Sequence, residues 1–349
     1  GYQSGTSVTT GCGNVTIGKG VDVILGTGNC QLGIGYNTCR WIDGDNNFSV
    51  CLAKGAIKAL WTGNLCATCF IGNGAGLTNL PAAGFEPDSQ ENLYAGTSAG
   101  AASDADTYYN IGLGCNALNA LNEGDHNIAI GCASGKILTS GGCNIMIGKS
   151  AGTAVTSGLR NVLIGCNAGL SVSTADNNIL LGPNSACLLE TGGNNVVIGY
   201  GAAVATTASC NNIVMGYEAG AAGTLASQYN TFIGMQAGCK NTSGYGNAFL
   251  GYQAGTEITT GGCNVYMGYE SGAKISTGSK NIALGFKAGC GSATPSNNTG
   301  SCNIFIGSYT GYKITSGCNN ISLGDYAGQG TTTGKWNISI GLYAGSACA

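Results

Sequence analysis

The chain has 349 residues, with 13 basic and 16 acidic side chains and one histidine, and charged residues make up only 8% of it. Glycine supplies 63 residues and proline 4. No Gly-X-Y period is present, which excludes collagen; no basic run marks a nucleic-acid footprint, and no apolar run is long enough for a membrane helix.

Residues 1–72 read as a strand-rich region with faint repeats, such as Asn14-Val15-Thr16-Ile17-Gly18 and Leu32-Gly33-Ile34-Gly35. Asn47 and Asn64 are spaced like the repeats that follow, and Cys66-Ala67-Thr68-Cys69 forms a CxxC. Gly1 stands where a Met would open a primary product, as in a processed chain or part of a longer one. Residues 73–91 read as a glycine-rich junction that closes on the acidic stretch Phe85-Glu86-Pro87-Asp88-Ser89-Gln90-Glu91.

From residue 92 to 349 one pattern dominates. Asn-apolar-x-apolar-Gly recurs with a seventeen-residue period, as in Asn127…Gly131, Asn144…Gly148, Asn161…Gly165, Asn195…Gly199 and Asn212…Gly216. Units of this size cannot bury an apolar face alone, so they must stack on one another. The spacing predicts an all-β chain, a parallel β-solenoid of about seventeen residues per coil. The Asn column should form an axial amide ladder, and the Gly column should mark a corner with positive φ. The long interval between Asn281 and Asn303 holds a Pro-containing polar loop, residues 291–299.

Within each strand the first and third positions are apolar (Ile145, Ile147) and are expected to fill the coil. The middle position is also apolar in many coils: Met146, Leu163, Leu180, Val197, Val214, Phe232, Phe249, Tyr266 and Phe305. That row is expected to face outward and to be covered by other copies of the chain. After a second tight corner, such as Ser150-Ala151-Gly152, a weaker strand is expected at Lys136–Thr139 and its equivalents.

Candidate chemistry is sparse. A lone CxxC lacks the second ligand pair of a zinc site and the βαβ setting of a redox motif. His126 immediately precedes a repeat Asn and reads as a corner residue, and the carboxylates are unclustered. Cysteines recur just before the Asn (Cys143, Cys263, Cys302) or just after the Gly (Cys115, Cys132, Cys166), which reads as reduced, small, buried filling. A Thr column (Thr139, Thr156, Thr242, Thr259) could bind ice, but suits turn hydrogen bonding better. Tyr200, Tyr217, Tyr252, Tyr269, Phe286, Tyr309, Tyr326 and Tyr343 could stack on sugars, dock a partner fibre or cover a corner. The Asn-x-Ser matches at Asn320 and Asn337 fall on the structural column.

The segment Gly72-Asn73-Gly74-Ala75-Gly76-Leu77-Thr78-Asn79-Leu80-Pro81 resembles a linker of phage tail-fibre and virion-fibre proteins, especially those of marine and cyanobacterial phages. The repeats are similar to the Asn-x-x-x-Gly-Tyr-x-Ala-Gly arrays of the same proteins, as at Gly251-Tyr252-Gln253-Ala254-Gly255. They also resemble the shorter Ser-Val-Ala-Ile-Gly repeats of trimeric autotransporter adhesin heads. The resemblance implies a homotrimeric structural fibre on a virion, with other virion proteins and a host-surface glycan as further partners. A bacterial cell-surface adhesin and a polysaccharide-degrading tail fibre are the alternatives. No catalytic residue, cofactor or metal site is expected, and neither nucleic-acid binding nor membrane insertion.

Overall fold

The computed structural model describes residues 2–7, 9–10, 12, 14–22, 32–36, 39–44, 50–52, 87–222 and 227–346. The chain divides into two compact units, Gly1–Thr78 and Asn79–Ala349. The division falls inside the junction expected at 73–91. Asn47, Asn64, the CxxC and most of that junction lie outside the described residues.

In the first unit, β1 (Val15–Ile17) pairs in parallel with β2 (Leu32–Tyr36), Val15 opposite Leu32, so the seventeen-residue step is present here too. It then gives way to an antiparallel meander with β3 (Cys39–Gly44) and β4 (Val50–Leu52).

The second unit is a parallel β-solenoid. Fifteen three-residue strands, from β5 (Leu93–Ala95) to β19 (Ile338–Ile340), form one sheet in strict chain order. Every pairing is parallel and in register, for example Met146 opposite Leu163 and Leu163 opposite Leu180. With neighbouring strands about 4.8 Å apart, fourteen steps make a rod roughly 65–70 Å long. The twenty-two-residue coil keeps this register, Ile282 opposite Ile304, because its extra residues leave the sheet as a loop with a single 3-10 turn, Pro295–Asn297.

Among the described residues each coil has one strand and not the two expected. Residues 136–139 run from a turn into a bend. The backbone there alternates between bonds to the next coil (Ile137 N–H to Thr153 O, 3.3 Å) and bonds within its own (Leu138 N–H to Gly135 O, 3.1 Å). The tight turn lets Leu138, Val155, Val172, Leu189, Ile258 and Ile314 dip into the core while their neighbours stay outside.

The strand faces are the reverse of the sequence expectation. Met146, Leu163 and Leu180 are 0% exposed; Val197, Val214, Phe232, Phe249, Tyr266 and Phe305 are no more than 4% exposed. These residues are the core of a single chain and cannot be an outer interface. The flanking positions lie outside: Ile130 is 38% exposed, Ile164 37%, Ile213 42% and Leu250 44%. The cause is parity. Side chains alternate across a strand, so the middle residue shares its side with the buried Asn before the strand and the corner Gly after it.

The core is thin, and its volume is traded along the axis. Phe232, Phe249 and Tyr266 stack inside it with centroids 5.0 and 4.9 Å apart. A Cβ on Gly152 would lie 2.7 Å from Leu163 Cδ1, so large strand residues force glycine at that corner. Where the strand residue is only Gly112, the equivalent corner holds the fully buried Leu118 at φ 48°. The core turns polar near Thr206 and Asn241, and the buried Asn241 amide has no hydrogen-bond partner.

The corner after each strand needs glycine twice over. Gly165 has φ 137°, and a Cβ there would sit 2.6 Å from the carbonyl of Gly182 in the next coil. Gly165→Ala is expected to cost about 2–4 kcal/mol through strain and overlap together, read as a lower urea midpoint. Phe232→Asp should unfold the rod locally, with loss of far-UV strand signal, whereas Ile147→Asp should leave the fold in place.

Candidate functional site

The Asn column performs three tasks at once. From Asn110 to Asn337 each backbone N–H donates to the Oδ1 of the Asn one coil earlier; Asn144 does so to Asn127 and Asn161 to Asn144, both at 3.0 Å. Nδ2 reaches the same oxygen, at 3.0 Å from Asn144, 3.1 Å from Asn161, 3.0 Å from Asn195 and 3.1 Å from Asn212. Its second hydrogen crosses the coil: Asn127 to Gly141 O at 2.9 Å, Asn144 to Gly158 O at 2.8 Å. The side chain therefore closes its own coil and joins it to the one before. The ladder crosses the long insertion unbroken, Asn303 to Asn281 at 3.2 Å. The partner glycines lie at φ 125–137° from Gly131 to Gly216: Gly131 136°, Gly148 131°, Gly165 137°, Gly182 125°, Gly199 136° and Gly216 136°.

The outer face of the sheet is the largest feature left for function. Across the fifteen strands Thr231 is the one polar residue at either outward position; the rest are Ile, Val, Leu, Met or Ala. No charge interrupts the face from Leu93 to Ile340. Its margins are the residue before each Asn and the residue after each corner Gly, both on the outward side.

The cysteines correct the expectation of buried filling. Cys115, Cys132, Cys143, Cys166, Cys263 and Cys302 are exposed, because they occupy those margins. Among the described cysteines of the second unit only Cys290 is buried, and none of them is in a disulfide. Cys143, Cys263 and Cys302 have φ 58–59°, with Cys143 at 58° and Cys302 at 59°.

The outer aromatics stack on one another. Tyr252, Tyr269, Phe286, Tyr309, Tyr326 and Tyr343 form a continuous row with centroids 4.8–5.2 Å apart, edge-on only at Phe286–Tyr309. Ring faces along the row are covered by neighbouring rings, so a sugar meets edges and hydroxyls there. Hydrogen bonding to Glu218 holds the Tyr217 phenol above its usual range, and burial pushes Tyr266 up. These two phenols therefore carry no charge near neutral pH.

The remaining candidates take structural parts. The Asp125 carboxylate accepts the Tyr108 N–H at 2.8 Å, and His126 packs on the Tyr109 ring at 5.1 Å, so no acid–base pair forms. Thr139, Thr156, Thr242 and Thr259 donate their hydroxyls to carbonyls of the next coil at 3.1–3.3 Å, the turn bonding expected of them. Asn320 is buried in the ladder. Comparison with protein-family models, with curated proteins and with solved structures returns no match.

Asn161→Asp keeps the shape of the ladder residue and removes both its amide donors. It places a carboxylate against Asn144 Oδ1 and leaves Ala175 O without its partner. The expected cost is about 3 kcal/mol or more, because a buried charge and an unpaired carbonyl add. Chemical denaturation followed by circular dichroism measures it, with Asn122→Asp, at an exposed position, as the mild control.

Proposed function

We propose that the repeat unit is the shaft of a non-enzymatic structural fibre whose chains lie side by side through their outward strand faces. The observation that carries this reading is the uncharged apolar face running the length of the solenoid. The exposures of its side chains amount to roughly 1,500–2,000 Å² of apolar surface per chain, several times the largest patch on a typical monomer. Covering it on each chain gives an interface of the obligate class. The absence of charge disfavours a polar or ionic partner. The face repeats at the rise of the coil itself, and a parallel copy of the chain has the same rise, so ridges and grooves stay matched along the whole rod.

The contact row is thus Ile128 and Ile130, Ile145 and Ile147, Val162 and Ile164, and their equivalents. Three chains around a common axis would hide the face from water on every copy, in keeping with the trimeric fibres that the repeats resemble. The linker resemblance supports a place on a virion, as a stiff extension that carries a tip, joins other virion proteins or meets a host surface.

Light scattering on the native assembly tests the arrangement, with a mass of three chains expected. Ile147→Glu combined with Ile164→Glu should shift it to the mass of one chain while the strand signal in circular dichroism persists. A single-chain mass for the unaltered protein would refute the proposal. Immunogold labelling of purified particles against bacterial surfaces tests the location.

A further inference from the structure

Cys115 and Cys132 occupy the same position, the residue after the corner Gly, in consecutive coils. Among the described residues no other two cysteines do so. Their strands are in register, Leu113 opposite Ile130, and the Ala133 N–H donates to Cys115 O at 2.8 Å, so the coils remain joined at the thiols themselves. Both side chains are exposed and neither is in a disulfide.

The spacing selects the chemistry. Equivalent atoms in stacked coils are about 4.8 Å apart. A disulfide wants Cβ atoms about 3.8 Å apart and sulfurs about 2.05 Å apart, which this register opposes. Two metal–thiolate bonds of about 2.3 Å placed end to end span about 4.6 Å, close to the coil rise. Soft monovalent ions of the Cu(I) class prefer thiolate ligands.

The surroundings agree. Asn116 Nδ2 donates to Cys115 Sγ at 3.3 Å, so the sulfur is held by a neutral amide and not by a carboxylate. Lys149 takes the same position one coil further on, where the Ser150 N–H donates to Cys132 O at 2.9 Å. Its ammonium group offsets the negative charge of a bis-thiolate complex. From Thr97 to Asn167, neither this position nor the one after it holds a carboxylate, so harder ions find no oxygen ligand set.

We infer that Cys115 and Cys132 form a two-thiolate site for a soft monovalent metal ion. Binding is a ligand exchange without redox change: one ion and two thiols give a two-coordinate anionic complex and two protons released to solvent. The site belongs to the solenoid of one chain and does not depend on the self-association proposed above.

Silver(I), which stays monovalent, is the probe. The reduced full-length chain is loaded anaerobically and challenged with a competing small thiol. One silver equivalent should resist the competitor in the unaltered chain and in Cys166→Ser, whose thiol holds the same position without a neighbouring thiol. Cys115→Ser and Cys132→Ser should each lose that equivalent, with affinity at least ~100-fold weaker because the second thiolate no longer binds intramolecularly. Equal retention in all four proteins would overturn the inference, as would loss in Cys166→Ser. A Cys115–Cys132 crosslinked peptide from the protein as purified would also overturn it. Circular dichroism of each variant separates loss of the site from loss of the fold.

Discussion

The asparagine that opens each coil is the constraint on which the rest of the solenoid depends. A seventeen-residue coil with a single three-residue strand has few apolar contacts of its own. It also bends through several residues with positive φ, including non-glycine residues such as Arg160 at 56° and Lys280 at 58°, which cost free energy. The buried amide offsets this by satisfying backbone groups that the turns leave exposed. It binds the N–H that starts the coil above and the carbonyl near the end of its own coil, Gly141 O in the case of Asn127. A buried amide with every hydrogen bond made is stabilising, and one with any bond missing is costly. No other side chain of this size offers two donors and a strong acceptor, which accounts for the column's uniformity.

Much of the architecture was legible in the sequence because it follows from translation. The period gave the stacking, the Gly column gave the corner, and the long interval gave a loop. The direction of the strand was harder to read. Both faces of Ile145-Met146-Ile147 are apolar, so hydrophobicity alone cannot choose between them. The information lay in parity with the Asn and Gly columns, both buried and both on the side of Met146. A second clue was the exchange between Gly112 and Leu118, which only residues sharing an interior would show. The cysteine positions mislead for the same reason: with the faces inverted, the margins of the outer sheet look like the inside. The missing second strand had another origin. Sequences such as Lys136-Ile137-Leu138-Thr139 have strand composition, but the left-handed corner glycine before them folds the chain into a turn.

The two ladders of rings differ in what they do. Inside, Phe232, Phe249 and Tyr266 fill volume and fix the spacing of the core. Outside, the tyrosine row rests on coil corners beside a polar row in which Gln236 donates to Glu218 at 3.0 Å and Gln253 to Gln236 at 2.8 Å. Ion pairs such as Lys240–Glu257, at 2.8 Å, also join residues one coil apart. Nearly every polar contact on this surface runs along the axis, so few long charged side chains are needed, in keeping with the low charge content. The apolar face and the cysteine margins stand apart from this rule, with exposed groups that the axial contacts do not satisfy.

The loop between Asn281 and Asn303 has an engineering consequence. Five residues beyond the usual coil are absorbed at one bend while Asn298 anchors the excursion through Lys274 O at 2.8 Å and Ser292 O at 3.0 Å. Such a bend is a natural grafting point, where peptides or small domains can be spliced in as cargo without disturbing the shaft, and several bends used together would hold that cargo at heights counted in whole coils.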